Sequence, residues 1–415
     1  MINALYDAYR VLFKVYSEGA YLKRALTDTD IEELNRAHTT KLCYGVLDRD
    51  IEFEYALSRL CDKRPKQSIR IILKEAFYAI KYLKTAQYAV VDNAVELVKK
   101  LGKGGNAGFV NAVLRKYVKT DIPMPADKYK RLSVEYSYPE FLVKTLCLDY
   151  GDERAEKIMA ADEELTAVRF NVGVDGKKYL EDNRWAYKTT PFENCFIVNG
   201  FKRNADFDAG VYTFQSIGSV AICDIVEKGE KLLDACAAPG GKSVNLADKF
   251  NSVTAFELHP HRVELIGDYA RRMKKENITA VCRDSSVFDP SYENKFDAVL
   301  CDCPCSGSGV IKDNPDIKLN RKEEDLKSLV KTQTAILETC SKYVKVGGAL
   351  YYSTCSVLKE ENELQCIDFL KSNENFMAES ISSRLPHESG AVGNSFFPDI
   401  SLGAGFFVCK FRRIK

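Results

Sequence analysis

Hydrophobic residues along the first 120 positions recur at helical spacing. In "SIRIILKEAFYAIKYL", Ile69, Ile72, Ala76, Ile80 and Leu83 fall on one face. "VVDNAVELVKKLG" repeats the pattern with Val91, Ala94, Val98 and Leu101, then stops at Gly102 and Gly104–Gly105, as a helix end should. Asn106 is placed to cap the next helix, "AGFVNAVLRKYVK". "KTDIPMPADKYK", with Pro123 and Pro125, reads as a linker, and "YPEFLVKTLCLDYGDERAEKIMAADEE" resumes helix.

From about residue 165 the pattern changes. "AVRFNV", "CFIVNG" and "GVYTFQS" read as short strands separated by turns, a small α+β subdomain. From about Ser219 strands and helices alternate: "KLLDACAAPGGKS", "VNLADKF", "VTAFEL", "HRVELIGDYARRMKK", "ITAVCRD", "FDAVLCD", "EEDLKSLVKTQTAILETCSKYV", "GALYYST", "KEENELQCIDFLK". Such alternation predicts a mostly parallel sheet with helices on both faces. The expected domains are therefore 1–125 (all-α), 126–215 (linker helices and the small subdomain) and 216–415 (α/β).

Composition adds limits. A chain of 415 residues exceeds one ordinary core. With 46% hydrophobic and 29% charged residues it reads as soluble and globular, and it lacks a long apolar run or a secretory signal, so a cytoplasmic location is expected. Its 14 cysteines are too sparse for a secreted disulfide scaffold; with no C-x-x-C pair and only four histidines, no metal site is expected. The net charge of +1 hides an asymmetry, since residues 1–135 carry 24 Lys+Arg against 17 Asp+Glu. A basic first half suits an anionic partner, although a solvated helical surface would carry the same charge.

Two constellations carry chemistry. "LLDACAAPGGKS" joins a strand to a helix, where glycines admit a ligand to the backbone. A phosphate-binding P-loop would need glycine where Cys236 stands, so Lys242 is not a P-loop lysine. Glu257 at the end of the next strand can accept both hydroxyls of a ribose, and Asp284 ends the third strand. Acids without a lysine cradle point to an adenosine-bearing cation, S-adenosylmethionine; the plain alternative is an ordinary strand–helix turn.

The second constellation is "DCPCSGSG", whose Pro304 ends strand pairing, together with "YYSTCSVLKEEN". Both follow strands, so Asp302, Cys305 and Cys355 belong at the ligand edge of the sheet, while Cys301 and Cys303 read as buried filler. Two thiols and a carboxylate beside a methyl donor suit methylation of cytosine carbon 5. A thiolate adding to carbon 6 makes carbon 5 nucleophilic, an acid at N3 assists, and a base then removes the carbon-5 proton.

At these motifs the chain closely resembles the RNA cytosine-5 methyltransferases of the Sun (Fmu) type, the ribosomal small-subunit methyltransferase B family. "DACAAPGGKS", "LCDCPCSGSGV", "NPDIKLN" and "YSTCSVLKEEN" match its core motifs in order, and "VVDNAVELVKKLGKGGNAGFVNAVLRK" is similar to its NusB-type RNA-binding domain. The resemblance implies a Rossmann-like α/β S-adenosylmethionine-dependent methyltransferase domain, preceded by an all-α NusB-like domain and a small α+β subdomain. It implies Cys355 as nucleophile, Cys305 assisting product release, and Asp302 holding the cytosine ring and touching the cofactor side. Related DNA enzymes use a Pro-Cys nucleophile, so Cys305 is the rival.

Cys236, Ala237, Ala238, Pro239, Gly240, Gly241 and Lys242, with Glu257, Asp284 and Asp302, would bind the cofactor. Asp316 and Lys318 match a motif near the substrate. Where the family has Gln-Asp and Asp-Gly-Phe-Phe, this chain has Gln215-Ser216 and Ala404-Gly405-Phe406-Phe407. Candidate RNA contacts are Lys99, Lys100, Lys103, Arg115, Lys116 and Lys119, with Asp316 and Lys318. The implied partner is small-subunit ribosomal RNA, bound by a monomer. A transfer-RNA methyltransferase and a non-catalytic ribosome-assembly factor are the alternatives.

Overall fold

The computed structural model describes residues 2–161 and 165–415. By contact the chain divides into two compact units, Met1–Ala160 with Ile311–Arg321, and Ala161–Val310 with Lys322–Lys415. The first unit therefore extends past the expected boundary at 125, and it takes in the "NPDIKLN" segment.

In the first unit, helices Ile2–Glu18, Glu33–Asp48, Asp50–Leu60, Gln67–Lys81, Gln87–Lys100 and Ala107–Lys119 share one core. Ala8, Leu12, Val46, Ile72, Phe77 and Leu114 are buried in it. Of the predicted stripe, Ile69, Ile72 and Ala76 are buried, Ile80 is half-buried, and Leu83 is half-buried past the end of the helix. In the next helix the buried stripe is Val90, Ala94, Leu97 and Val98, and Val91 and Leu101 lie at its margin. Asn106 does not cap: its side chain turns back to donate to the Lys103 carbonyl at 3.3 Å, closing the tight Gly-Gly-Asn turn instead. Two further helices, Glu140–Tyr150 and Asp152–Ala160, replace the single long one expected, broken at Gly151 where φ is +78°. Residues 162–164, at the end of that predicted helix, lie outside the described residues.

Glu75 is buried among the aliphatic side chains of this unit, and neither of its oxygens has a hydrogen-bond partner. Burial pushes its carboxyl well above the ordinary range.

The second unit holds two sheets. Strands β1 (Thr166–Phe170), β2 (Tyr187–Thr189), β3 (Cys195–Val198) and β4 (Tyr212–Phe214) form an antiparallel sheet in the order β2-β3-β1-β4, so the small α+β subdomain is present. The larger sheet contains β5 (Gly229–Asp234), β6 (Phe250–Glu257), β7 (Ile278–Cys282), β8 (Phe296–Asp302), β9 (Val344–Thr354), β10 (Phe376–Glu379), β11 (Glu388–Ser389), β12 (Asn394–Phe396) and β13 (Phe406–Arg413). Its parallel part runs β7-β6-β5-β8-β9, and β13 closes antiparallel on β9. Leu232, Leu233, Val299, Leu300 and Leu350 are fully buried, as strands covered on both faces require. The strand order reverses between β5 and β8, and the carboxyl ends beside that switch point are where such a sheet binds ligands.

Candidate active site

The turn after β5 opens a cleft of about 540 Å³ across the ends of β5 to β8, lined by Cys236, Ala238, Glu257, Asp284 and Asp302 among others. Gly240, at φ +105°, makes the turn into helix Gly241–Leu246; a Cβ there would approach the Ile266 backbone to 3.3 Å. Glu257 ends β6 and is buried, its Oε1 accepting from the His259 backbone at 3.0 Å and from Arg262 at 3.3 Å. The same guanidinium donates to the Ala238 carbonyl at 3.2 Å, so it ties the turn to the acid. Asp284 lies just past β7, exposed, with its Oδ1 accepting from the backbone and hydroxyl of Ser286 at 2.9 and 2.6 Å.

This donor set fits S-adenosylmethionine. Carboxylates stand at two strand ends where ribose and adenine would lie. A second cleft of about 210 Å³ shares Cys236, Ala238 and Asp302 with the first, and reaches Asp234 and Gln215. Asp234 is buried, accepts from Ser243 at 2.6 Å through Oδ2, and has no hydrogen-bond partner at Oδ1; burial raises its pKa to about 6. An unsatisfied carboxyl oxygen there suits a cationic ligand. The Lys242 ammonium does not oppose it, because it is held 2.6 Å from Asp302 Oδ2. Burial alone would lower Lys242, but the Asp302 charge outweighs it and holds the ammonium above its usual range.

The other Asp302 oxygen accepts from Ser353 at 2.8 Å, so the carboxylate is clamped between the cofactor turn and the end of β9. Just beyond stand the two cysteines, 50 positions apart in sequence, with Sγ atoms 3.0 Å apart. Cys305 is buried and Cys355 half-buried. The hydrogen bond from Cys305 holds the Cys355 thiol below its usual range, against the effects of burial and of Asp302. The same bond, together with burial, pushes Cys305 well up. Of the pair, Cys355 is the more exposed and the more readily ionised, and Cys305 the more buried. Cys301 and Cys303 are buried in the core below, as expected of filler.

The loops carrying the pair are laced together. Glu361 accepts from the Ser306 backbone at 2.7 Å and its hydroxyl at 2.5 Å, and Gln333 bridges Glu361 to the Pro304 carbonyl at 3.0 Å each. Asn362 Oδ1 accepts from Thr354 at 2.5 Å, and its Nδ2 donates to the Ser356 carbonyl at 2.9 Å. Sequence reasoning missed Glu361, Gln333 and Asn362. The "KEEN" that follows Cys355 holds Glu361 and Asn362 and was their only signal; Gln333, on helix Glu323–Ser341, had none.

Comparison with known proteins gives the family. The model of the 16S rRNA methyltransferase RsmB/F family matches residues 222–412, and the NusB family model matches residues 3–119. A probable ribosomal RNA small subunit methyltransferase B of Bacillus subtilis (strain 168) is 33% identical over 98% of both chains. The chain belongs to the RsmB/F methyltransferase family. Membership makes it an S-adenosylmethionine-dependent RNA methyltransferase with an N-terminal NusB domain. The ribosomal RNA small subunit methyltransferase B of Xanthomonas campestris is 29% identical over 96% of this chain and 94% of that one. Among solved structures, PH0851 shares the fold over 99% of this chain and 98% of its own (TM-score 0.83, 22% identical). NSun6 from Pyrococcus horikoshii, solved with SFG, shares it over 68% and 99% (TM-score 0.60, 18% identical).

The family departures sit at defined places. Gln215 donates to the Gly241 carbonyl at 3.1 Å and so supports the cofactor turn, while Ser216 caps the following helix. Gly405 packs backbone to backbone on Gly309, donating to its carbonyl at 3.2 Å, and a Cβ on either glycine would collide.

In the NusB domain, Lys99, Lys100, Arg115, Lys116 and Lys119 are exposed and Lys103 is half-buried. They form two separate groups: Lys99, Lys100 and Lys103 at the end of helix Gln87–Lys100 and the turn after it, and Arg115, Lys116 and Lys119 in the last turns of helix Ala107–Lys119. Several already have protein partners: Lys99 pairs with Glu96 at 2.7 Å, Lys100 donates to Asn3 at 3.0 Å, Arg115 to Asn111 at 3.1 Å, and Lys116 to the Leu60 carbonyl at 3.1 Å.

Asp316 and Lys318 require correction as RNA contacts, since both are buried within the helical unit. Lys318 donates to Asp48 Oδ1 at 3.0 Å and to its carbonyl at 2.7 Å, and Asp316 accepts from the Leu22 backbone at 3.3 Å. Their charges are satisfied by the protein.

Among the described residues, no group of three or more His, Cys, Asp or Glu side chains is arranged to hold a metal ion. None of the described helices is long and apolar enough to cross a membrane.

Proposed function

We propose that this enzyme methylates carbon 5 of a cytosine in small-subunit (16S) ribosomal RNA through a covalent Cys355–cytosine adduct. The observation that carries the reading is the 3.0 Å Cys305–Cys355 contact beside the clamped Asp302 and the acid-lined cleft. Bound S-adenosylmethionine supplies an electrophilic methyl group on a sulfonium. Glu257 and Asp284 hold its adenosine part, the 236–242 turn its remainder.

Cys355 Sγ, already biased toward thiolate, adds to carbon 6 and makes carbon 5 nucleophilic. Asp302, fixed by Ser353 and Lys242, holds the N3–N4 edge of the ring. After methylation a base takes the carbon-5 proton and the Cys355 sulfur leaves carbon 6 as a thiolate. The Cys305 S–H, its sulfur 3.0 Å from that of Cys355, stabilises the departing thiolate. Attack from the face of the ring requires an unstacked cytosine. Basic side chains of the NusB domain hold RNA phosphates while the second unit does the chemistry. The enzyme acts as a cytoplasmic monomer without a metal.

The test is methyl transfer from labelled S-adenosylmethionine to unmodified small-subunit ribosomal RNA, with transfer RNA alongside and bisulfite mapping of the product. One protected cytosine in the ribosomal RNA is expected. Modified transfer RNA alone would overturn the substrate assignment, and label at any atom other than carbon 5 would overturn the mechanism.

A further inference from the structure

We infer that Cys355 is a site of peroxide modification, with Cys305 as its resolving partner, so that the pair closes to a reversible disulfide. Four observations converge. The Sγ atoms are 3.0 Å apart, so bond formation near 2.05 Å needs an approach of only about 1 Å. Cys355 is half-buried, whereas Cys305 is buried. One sulfur can meet a small oxidant and the other is poised to resolve it. The electrostatics agree, because the more exposed sulfur is the more readily ionised of the two. Both loops are fixed at their bases by Glu361, Gln333 and Asn362, so oxidation finds the sulfurs already together.

Cys236 and Cys303 are a second half-buried and buried pair in contact, but Cys236 is held above the usual thiol range, not below it; the remaining cysteines contrast more plainly. Cys301, Cys340, Cys366 and Cys409 are fully buried in the core, and Cys282, although exposed, directs its thiol to the Leu258 carbonyl at 3.5 Å.

The chemistry balances with hydrogen peroxide as oxidant. The Cys355 thiolate attacks one peroxide oxygen, the O–O bond breaks, and the leaving hydroxide becomes water with the proton released when the Cys355 thiol ionised, giving a sulfenic acid. Cys305 gives up its proton and attacks that sulfur. The S–O bond breaks, and the departing hydroxide takes the proton as water. Overall two thiols lose two electrons and two protons, and one peroxide becomes two waters. A dithiol reductant reverses the step by exchange. The disulfide consumes the sulfur that attacks cytosine, so oxidation silences transfer while leaving the acid-lined cleft intact. That consequence rests on the proposed role of Cys355; the disulfide itself does not.

The experiment treats the full-length protein with graded hydrogen peroxide, alkylates it under denaturing conditions and maps its peptides by mass spectrometry. The expected product is a cross-linked peptide pair joining Cys305 to Cys355, two hydrogens lighter than the thiols and restored by dithiothreitol. It should form at lower peroxide than any other cysteine oxidation. Cys305→Ser should instead leave Cys355 as a sulfenic acid trapped by dimedone. Cys355 passing to sulfinic acid while Cys305 stays alkylatable would overturn the proposal, as would a preferred disulfide elsewhere. S-adenosylmethionine binding by calorimetry should be unchanged in the oxidised protein. A disulfide that forms in a protein with no cytosine methylation would leave the redox pair standing and remove the proposed function; methylation without the disulfide would do the reverse.

Discussion

The Lys242 ammonium lies 2.6 Å from the Asp302 carboxylate, joining the turn after β5 to the end of β8 across the switch point of the sheet. Lys242 belongs to the cofactor turn by sequence, but in the fold its charge is spent on the carboxylate beside the thiols. Lys242→Met should leave Asp302 held by Ser353 alone and its charge uncompensated. The expected result is a fall in kcat of roughly 10²-fold, the scale of removing one preorganised donor. Steady-state kinetics check this, and an effect confined to the KM for S-adenosylmethionine would contradict the assignment.

The two thiols separate on a denaturing gel. Cys355→Ala should abolish both methylation and any covalent RNA band. Cys305→Ala should form the adduct and release it slowly, giving a retarded protein–RNA band. The opposite pattern would make Cys305 the nucleophile.

The pH dependence follows from the same pair. Because the Cys305 hydrogen bond lowers the Cys355 pKa, the attacking thiolate should be populated below the ordinary thiol range. Activity should rise with pH through a pKa below the ordinary thiol value and level off above it. Cys305→Ala removes the bond and should move that limb to higher pH. Single-turnover rates across pH give the limb directly, and an unmoved limb would show that Cys305 does not tune its partner.

Glu75 offers a test of stability rather than chemistry. Its folded-state pKa lies above the unfolded carboxyl value, so its contribution is fully present below the ordinary carboxylate pKa and is lost as pH rises toward the folded value. Denaturant unfolding should show the helical unit weakening from about pH 4.5 upward. Glu75→Leu should flatten that dependence and raise stability at neutral pH. A variant with the parent's pH slope would place the titration elsewhere.

Neutralising Lys99, Lys103, Arg115 and Lys119 together should weaken RNA binding and reduce its salt dependence, with about one unit of log–log slope lost for each phosphate contact removed. S-adenosylmethionine affinity should not change. Fluorescence anisotropy at several salt concentrations reads both effects.

The parallel strands, the acids at the ends of β6 and β7, and the Asp302, Cys305 and Cys355 loops were legible in sequence because each depends on a short local pattern of strand, turn and helix. What was hidden depends on partners far along the chain. Lys318 and Asp316 read as close to the substrate because they match a family motif placed there, yet their partners, Asp48 and Leu22, lie 270 and 294 positions away. Asn106 has the composition of a cap, but the tight turn before it redirects its amide. The close approach of Gly309 and Gly405 leaves no trace beyond two glycines.

The membership of Ile311–Arg321 in the helical unit has a consequence for synthesis. The ribosome makes residues 161–310 between the last N-terminal helix and this segment. At roughly 5–20 residues per second, the nascent helical unit spends on the order of ten to thirty seconds with Asp48 lacking its lysine. It completes its own packing only after the Pro-Cys loop has left the tunnel. A gene cut at residue 160 would strand a buried cation on one product and its acid on the other, so neither half is a free-standing module.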